Sequence, residues 1–219
     1  MPVGRELVEN VMRAIETVIE RGRGALWIAV RQRASFEGWL KLELAYELET
    51  AGFREVRLEE AYRGGRADIA FEIDGGRCYI ELKTCPTRGR VRGVYDIKRS
   101  LNKRVKRPFY EVMERVKKLI NTPDIGLFIM LLFPVDLKAN IISKIRRWKF
   151  GDELLGERPL MKMIKMTNEV SITVLLFGPY QDGRLVREPE GLRGFLSGLS
   201  FDEGEIEEAR KLSSAEVGR

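Results

Sequence analysis

The 219-residue chain contains no histidine. That absence removes Ser-His-Asp and Cys-His catalysis, histidine-ligated zinc and every nuclease that relies on an imidazole base. Cysteine is nearly absent too, with two in all, which makes a structural zinc site a poor expectation. Cys78 and Cys85 fall in or beside one expected strand, where seven steps span about 23 Å, against the ~7 Å between α-carbons that a disulfide tolerates. Reduced thiols fit a cytosolic protein. Long apolar runs are missing as well: the longest, from Ile125 to Val135, is interrupted by Gly126 and Pro134 and reads as a buried strand, not a membrane span. Arg5, Glu6 and Glu9 break up the apolar stretch a secretory signal requires, so the expected location is cytoplasmic and away from membranes. Neither a repeat, a low-complexity tract nor a long flexible linker is evident. Hydrolytic chemistry, if present, has to rest on carboxylates, lysine and a hard cation such as Mg²⁺.

What is present is a globular composition, 44% hydrophobic and 33% charged, with a formal net charge of +6. The charge is unevenly spread. Arg88, Arg90, Arg92, Lys98, Arg99, Lys103, Arg104, Lys106 and Arg107 face one acid, Asp96, whereas the last nineteen residues carry Asp202, Glu203, Glu205, Glu207, Glu208 and Glu216. A concentrated basic segment suggests a polyanionic partner, although a solvated loop and helix face has the same composition. Abundant Glu, Lys and Arg with few Asn and Gln resembles thermophile proteins.

Helical spacing of Val8, Val11, Met12, Ile15, Val18 and Ile19 predicts a helix over 5–20, and 24–34 reads equally as helix or strand. Ser35 is a suitable N-cap for a helix ending near Ala51, with Gly52 as its terminator. Strands are expected at 56–59, at 125–133 and at 170–177, with a hairpin over 66–84 turning at Gly75-Gly76. Pro108 starts a helix with Phe109, Val112, Met113, Val116 and Ile120 on its apolar stripe, a further helix covers 138–149, and Ser200 with Glu203 begins a short one near the C-terminus. This order describes an α/β protein, a central mixed sheet flanked by helices. The expected organisation is an N-terminal helical segment (1–34), a core (35–185) and an acidic helical appendage (186–219).

The stretch at 66–84 carries the chemistry. With Gly75 and Gly76 as central turn residues, position 70 faces 81 and position 68 faces 83. Asp68, Glu81 and Lys83 then share one face at the open end of the hairpin, and Ile69, Phe71, Ile73, Ile80 and Leu82 cover the other. Two carboxylates and the Leu82 carbonyl offer hard oxygen ligands to Mg²⁺ or Mn²⁺, and Lys83 is placed to orient a water or neutralise a phosphate. The plainer account is an ordinary cross-strand ion pair on a solvated hairpin. On the preceding helix, Glu37 lies on the Leu40, Leu44, Leu48, Ala51 stripe. An acid on the core side has to be paired or metal-linked, unless it is simply exposed in the first turn. Glu43 and Glu47 lie at the edge of that stripe.

A helix with an early Glu, then Arg66-Ala67-Asp68, then Glu81-Leu82-Lys83 in an apolar strand resembles the PD-(D/E)XK nuclease superfamily, which includes restriction endonucleases, archaeal Holliday-junction resolvases and RecB-type nucleases. The match covers roughly 35–84, with plausible continuation to about 178. Ala67 stands where the family name shows proline. The resemblance implies a restriction-endonuclease-like core, metal binding by Asp68 and Glu81, a catalytic Lys83, and Glu37 or Glu43 as the helix acid. It also implies that the chain leaving the Glu-x-Lys strand passes the catalytic cleft, which would set Arg88, Arg90, Arg92, Lys98, Arg99, Lys103 and Arg104 against phosphates. The leading expectation is a Mg²⁺-dependent nuclease acting on nucleic acid, DNA before RNA. A two-fold homodimer would suit duplex cutting. The competing expectations are a non-cleaving nucleic-acid-binding or regulatory module on the same fold, and an unrelated α/β protein with a charged hairpin.

Overall fold

A computed structural model of the chain describes residues 4–73, 76–87, 94, 118–119, 123–136, 159–181 and 184–185, all within one compact unit, Met1–Val186. The basic residues between 88 and 107, the helix expected over 138–149 and the acidic C-terminus lie outside the described residues. So does the start of the helix expected at Pro108, although Lys118 and Leu119 are helical.

Three helices come first: α1 (Arg5–Arg21), α2 (Arg23–Gln32) and α3 (Glu37–Thr50). The ambiguous 24–34 stretch is therefore helix, burying Leu26 and Val30. Leu40, Leu44 and Leu48 line the inner face of α3 as expected, but Ala51 is exposed and Ala45 is buried instead. The N-cap of α3 is Phe36, with Ser35 one residue outside and no side-chain cap. Its other end follows the sequence closely. Gly52 adopts φ +90, its N–H bonds the Glu49 carbonyl, and the Phe53 N–H reaches back to Leu48. That is a Schellman closure, sealed by the buried pair Phe53 and Leu48.

The strands follow as β1 (Arg54–Leu58), β2 (Ala61–Tyr62), β3 (Gly65–Arg66), β4 (Ile69–Ile73), β5 (Gly76–Pro86), β6 (Ile125–Asp136), β7 (Leu160–Lys165), β8 (Val170–Gln181) and β9 (Arg184–Leu185). The main sheet runs β1-β4-β5-β6-β8-β7, with β9 added to β8. Strands β1, β4 and β5 form an antiparallel meander, β6 pairs parallel to β5, and β8 and β7 are again antiparallel. The sheet is thus mixed and the class α/β, as expected. A parallel β5–β6 pair demands a crossover, which the chain between Thr87 and Pro123 supplies.

Both sheet faces are apolar. One packs on the helices in a single core with Ile15, Ile19, Leu40, Leu44, Phe71, Ile80, Leu82, Ile129 and Ile172. On the other, Ala70 and Tyr79 cluster with Ala67 and Leu119, and Phe128 stacks on Phe177 at 5.4 Å. Burial on both sides explains the near-continuous apolar reading of β6 and β8.

The hairpin register corrects the expectation. Ile73 pairs Gly76, Ala70 pairs Tyr79 and Ile69 pairs Ile80, so position 70 does not face 81. The connection is the dipeptide Asp74-Gly75, a strong two-residue hairpin signal, and not Gly75-Gly76. The register has moved by two, an even number, so every side chain keeps its face. Ile69, Phe71, Ile80 and Leu82 remain in the helix-side core.

Candidate active site at the end of strand β5

Strand β5 outruns β4. Pairing ends at Ile69↔Ile80, while β5 continues to Pro86. Its other side stays covered throughout, because β6 accompanies it from Cys78 to Pro86. Beyond Ile80, the edge facing β4 has backbone donors with no strand to accept them, and buried N–H groups are costly to leave unpaired. Two carboxylates take the strand's place. The Leu82 N–H donates to Asp68 Oδ2 at 2.8 Å, and the Thr84 N–H donates to Glu37 Oε2 at 2.8 Å.

Asp68 is delivered by an irregularity just before β4. Its own N–H donates to the Ile80 carbonyl at 3.0 Å, while its carbonyl accepts from the Glu59 N–H at 3.1 Å. Asp68 therefore brackets Glu81, bonded to the residue on either side. Both acids are buried, at 8% and 2% relative exposure. In an extended strand the C=O and N–H of one residue point the same way, so the Leu82 carbonyl opens toward the Asp68 side.

Lys83 does not pair with Asp68. Its Nζ lies 2.9 Å from Glu37 Oε1. Glu37 at the first position of α3 thus bridges the Lys83 ammonium and the Thr84 backbone. Glu43 is elsewhere, 2.9 Å from Arg21 on a half-exposed surface. Of the two candidate helix acids, Glu37 is the one at Lys83.

Sequence reasoning missed Lys41, one helical turn beyond Glu37. Its Nζ sits 2.8 Å from Asp68 Oδ1 and also contacts the Glu59 carboxylate. Burial alone would lower the Lys41 ammonium, but Asp68 and Glu59 outweigh it and the pKa is raised. Helix α3 therefore gives an acid to the strand's lysine and a lysine to the hairpin's acid. The available signal was the spacing of four between Glu37 and Lys41 on a face that also carries Leu40 and Leu44.

Burial disfavours the thiolate form of both cysteines. Burial pushes Cys85 up to about 12 despite the opposing field of Lys83, and burial raises Cys78 as well. Arg33, in left-handed conformation at the end of α2, donates from Nη1 to the Thr87 carbonyl at 2.8 Å. The Thr87 hydroxyl bonds the Pro134 carbonyl, so the exit from β5 is pinned where the basic stretch begins. Arg88, Arg90, Arg92, Lys98, Arg99, Lys103 and Arg104 themselves lie outside the described residues.

Among the described residues no group of three or more Asp, Glu, Cys or His side chains is gathered for a metal ion. Asp68, bonded to the residues on either side of Glu81, makes with Glu81 and the Leu82 carbonyl a smaller set of oxygen donors. They fit Mg²⁺, which keeps several waters and binds through one or two carboxylates and substrate phosphates. Each Asp68 oxygen retains a second lone pair beside the bond it makes. No family model, no curated protein and no solved structure matches the chain.

Proposed function

We propose that the protein is a Mg²⁺-dependent nuclease of the PD-(D/E)XK type, hydrolysing phosphodiester bonds of nucleic acid, with DNA as the first substrate to test. The observation that carries this reading is the placement of Asp68 around Glu81. Asp68 is bonded to the residue on either side of Glu81 where one strand ends, both acids are buried, and the next alternate residue is a lysine. The topology supports it: a helix with an acid at its start, three antiparallel strands, a crossover and a strand parallel to the third. That sequence of elements resembles the restriction-endonuclease-like core.

Asp68 and Glu81 would hold the ion, with the Leu82 carbonyl as a third oxygen. Mn²⁺ suits the same oxygens. A bound divalent ion supplies a water of lowered pKa and neutralises charge developing on phosphorus. Lys83 contributes an ammonium that orients the attacking water or receives a phosphate oxygen. Glu37 is a positioning residue, fixing the Lys83 side chain from α3. Leu82 and Ile80 hold the strand against the helices and keep the floor of the site dry. The basic stretch after Thr87 would grip phosphates. With about six contacts, affinity would fall roughly a thousandfold between 50 and 200 mM salt.

A second reading, a binding or regulatory module that does not cut, draws on one observation. Asp68 and Glu37 already serve as backbone acceptors and ion-pair partners, a role that needs no chemistry. Incubation with supercoiled, linear and branched DNA, and with RNA, in the presence and absence of Mg²⁺ or Mn²⁺, separates the two. The nuclease reading expects metal-dependent cutting that Lys83→Ala abolishes while binding persists. Binding without cutting on every substrate would establish the module.

A further inference from the structure

Helix α3 and the hairpin are joined by two ion pairs of opposite sense, Glu37 with Lys83 and Lys41 with Asp68. The second has a feature the first lacks. Lys41 holds two acids at once, Asp68 on one side and Glu59 on the other. Glu59 follows β1 directly, its N–H anchored to the Asp68 carbonyl and its backbone in the left-handed region at φ 55. Few residues other than glycine adopt that backbone conformation, and the Glu59 carboxylate reaches the Lys41 ammonium.

We infer that Lys41 is a placeholder cation: its ammonium neutralises Asp68 until a divalent ion binds, and then withdraws to Glu59. This positioning role rests on the proposed metal site at Asp68 and Glu81. The argument is one of charge. Asp68 is a buried carboxylate, and a buried charge is costly unless a cation stands beside it. The Lys41 ammonium, at 2.8 Å from Oδ1, is such a cation, and a divalent ion bound by Asp68 would compete with it for the same carboxylate charge. Flexible lysine, with its four-carbon stem and point charge, can leave one oxygen for another a short distance away, which a bidentate arginine does less readily. Glu59 gives it somewhere to go, so the ammonium is never stranded. Charge at the site is then exchanged, with one cation leaving as another arrives.

The test is Mn²⁺ binding to the full chain, read by the loss of the free-ion paramagnetic resonance signal and not by cleavage. Lys41→Met removes the competing charge and is expected to tighten Mn²⁺ at least tenfold. Glu59→Gln removes the resting place and is expected to weaken Mn²⁺ several-fold. In the double variant the Glu59 effect should vanish, because no lysine remains to be moved. Should Lys41→Met not fold by circular dichroism, Lys41→Gln replaces it, keeping a donor for Asp68 without the charge. Unchanged or weaker Mn²⁺ binding in a folded, uncharged variant overturns the placeholder. If Asp68→Asn meanwhile abolishes Mn²⁺ binding, the proposed metal site stands without it. Absence of Mn²⁺ binding in every variant, wild type included, overturns both.

Discussion

The two halves of β5 solve the same problem by different means. From Cys78 to Ile80 the strand lies between β4 and β6, and its side chains Cys78 and Ile80 are sealed in the core. From Leu82 onward β4 has ended, and the donors that faced it are taken by the carboxylates of Asp68 and Glu37. The first half is held by strand pairing and apolar burial, with Arg77 adding an ion pair to Glu60 at the strand's start. The second is held by two carboxylates, each accepting a backbone N–H through one oxygen and facing a lysine with the other. A strand edge satisfied by side chains instead of by another strand gathers ionisable groups where a neighbouring strand would otherwise lie. That difference is why the chemistry is proposed for one end of the strand and not the other.

The comparison breaks most visibly under Ile80→Ala. Ile80 is fully buried, and its truncation should cost about 2–5 kcal/mol in chemical unfolding. In the open half, Glu37→Ala leaves the Thr84 N–H and the Lys83 ammonium without this partner. It should cost about 1–3 kcal/mol, less than Ile80→Ala, yet reduce any metal-dependent cleavage more. Equal stability losses with equal activity losses would erase the distinction between the halves.

A third prediction concerns pH. Burial holds the Cys85 thiol protonated up to about 12, against an ordinary value of 9.0. Its contribution to stability is therefore whole below pH 9 and is lost as pH rises toward about 12. Unfolding midpoints measured across that window should fall less steeply for Cys85→Ala than for the wild type. A parallel pair of curves would mean that the open half admits water to Cys85. The smallest effect is expected at Glu43→Ala. Its partner Arg21 is on the surface, and both melting temperature and cleavage should match the wild type.

Much of this was legible in the residues, and the failures have physical causes. The apolar stripe of α3 and the Gly52 stop are local signals, and both held. Asp68, Glu81 and Lys83 were singled out because alternation in the hairpin sets them on one face, and Glu37 because an acid on the core side of a helix requires a partner. The hairpin register was misplaced by two because three adjacent residues, Asp74, Gly75 and Gly76, all favour a turn, and a turn's position sets every pair beyond it. The plainer account, a cross-strand ion pair of Asp68 with Lys83, failed as well, since the observed register of Ile69 against Ile80 does not set 68 opposite 83. Whether a lysine reaches across a hairpin or up to a helix depends on where β4 stops, which no local pattern states. Lys41 looked like any surface lysine on a helix, and only the packing of α3 over the hairpin gives it two acids. Strand β7 escaped notice because its alternation of Met and Lys is brief and its neighbours are polar.

The central claim is that the acids at the open end of β5 do chemistry beyond holding an edge. Asp68→Asn tests it most directly, since asparagine keeps an oxygen for the Leu82 N–H but surrenders the charge a metal ion needs. The measurement is Mg²⁺-dependent cleavage of DNA by folded Asp68→Asn beside the wild type, with DNA binding assayed on the same preparations. The account predicts cutting by the wild type, a loss on the order of a thousandfold in the variant, and unchanged binding. Cleavage by Asp68→Asn at the wild-type rate would contradict it.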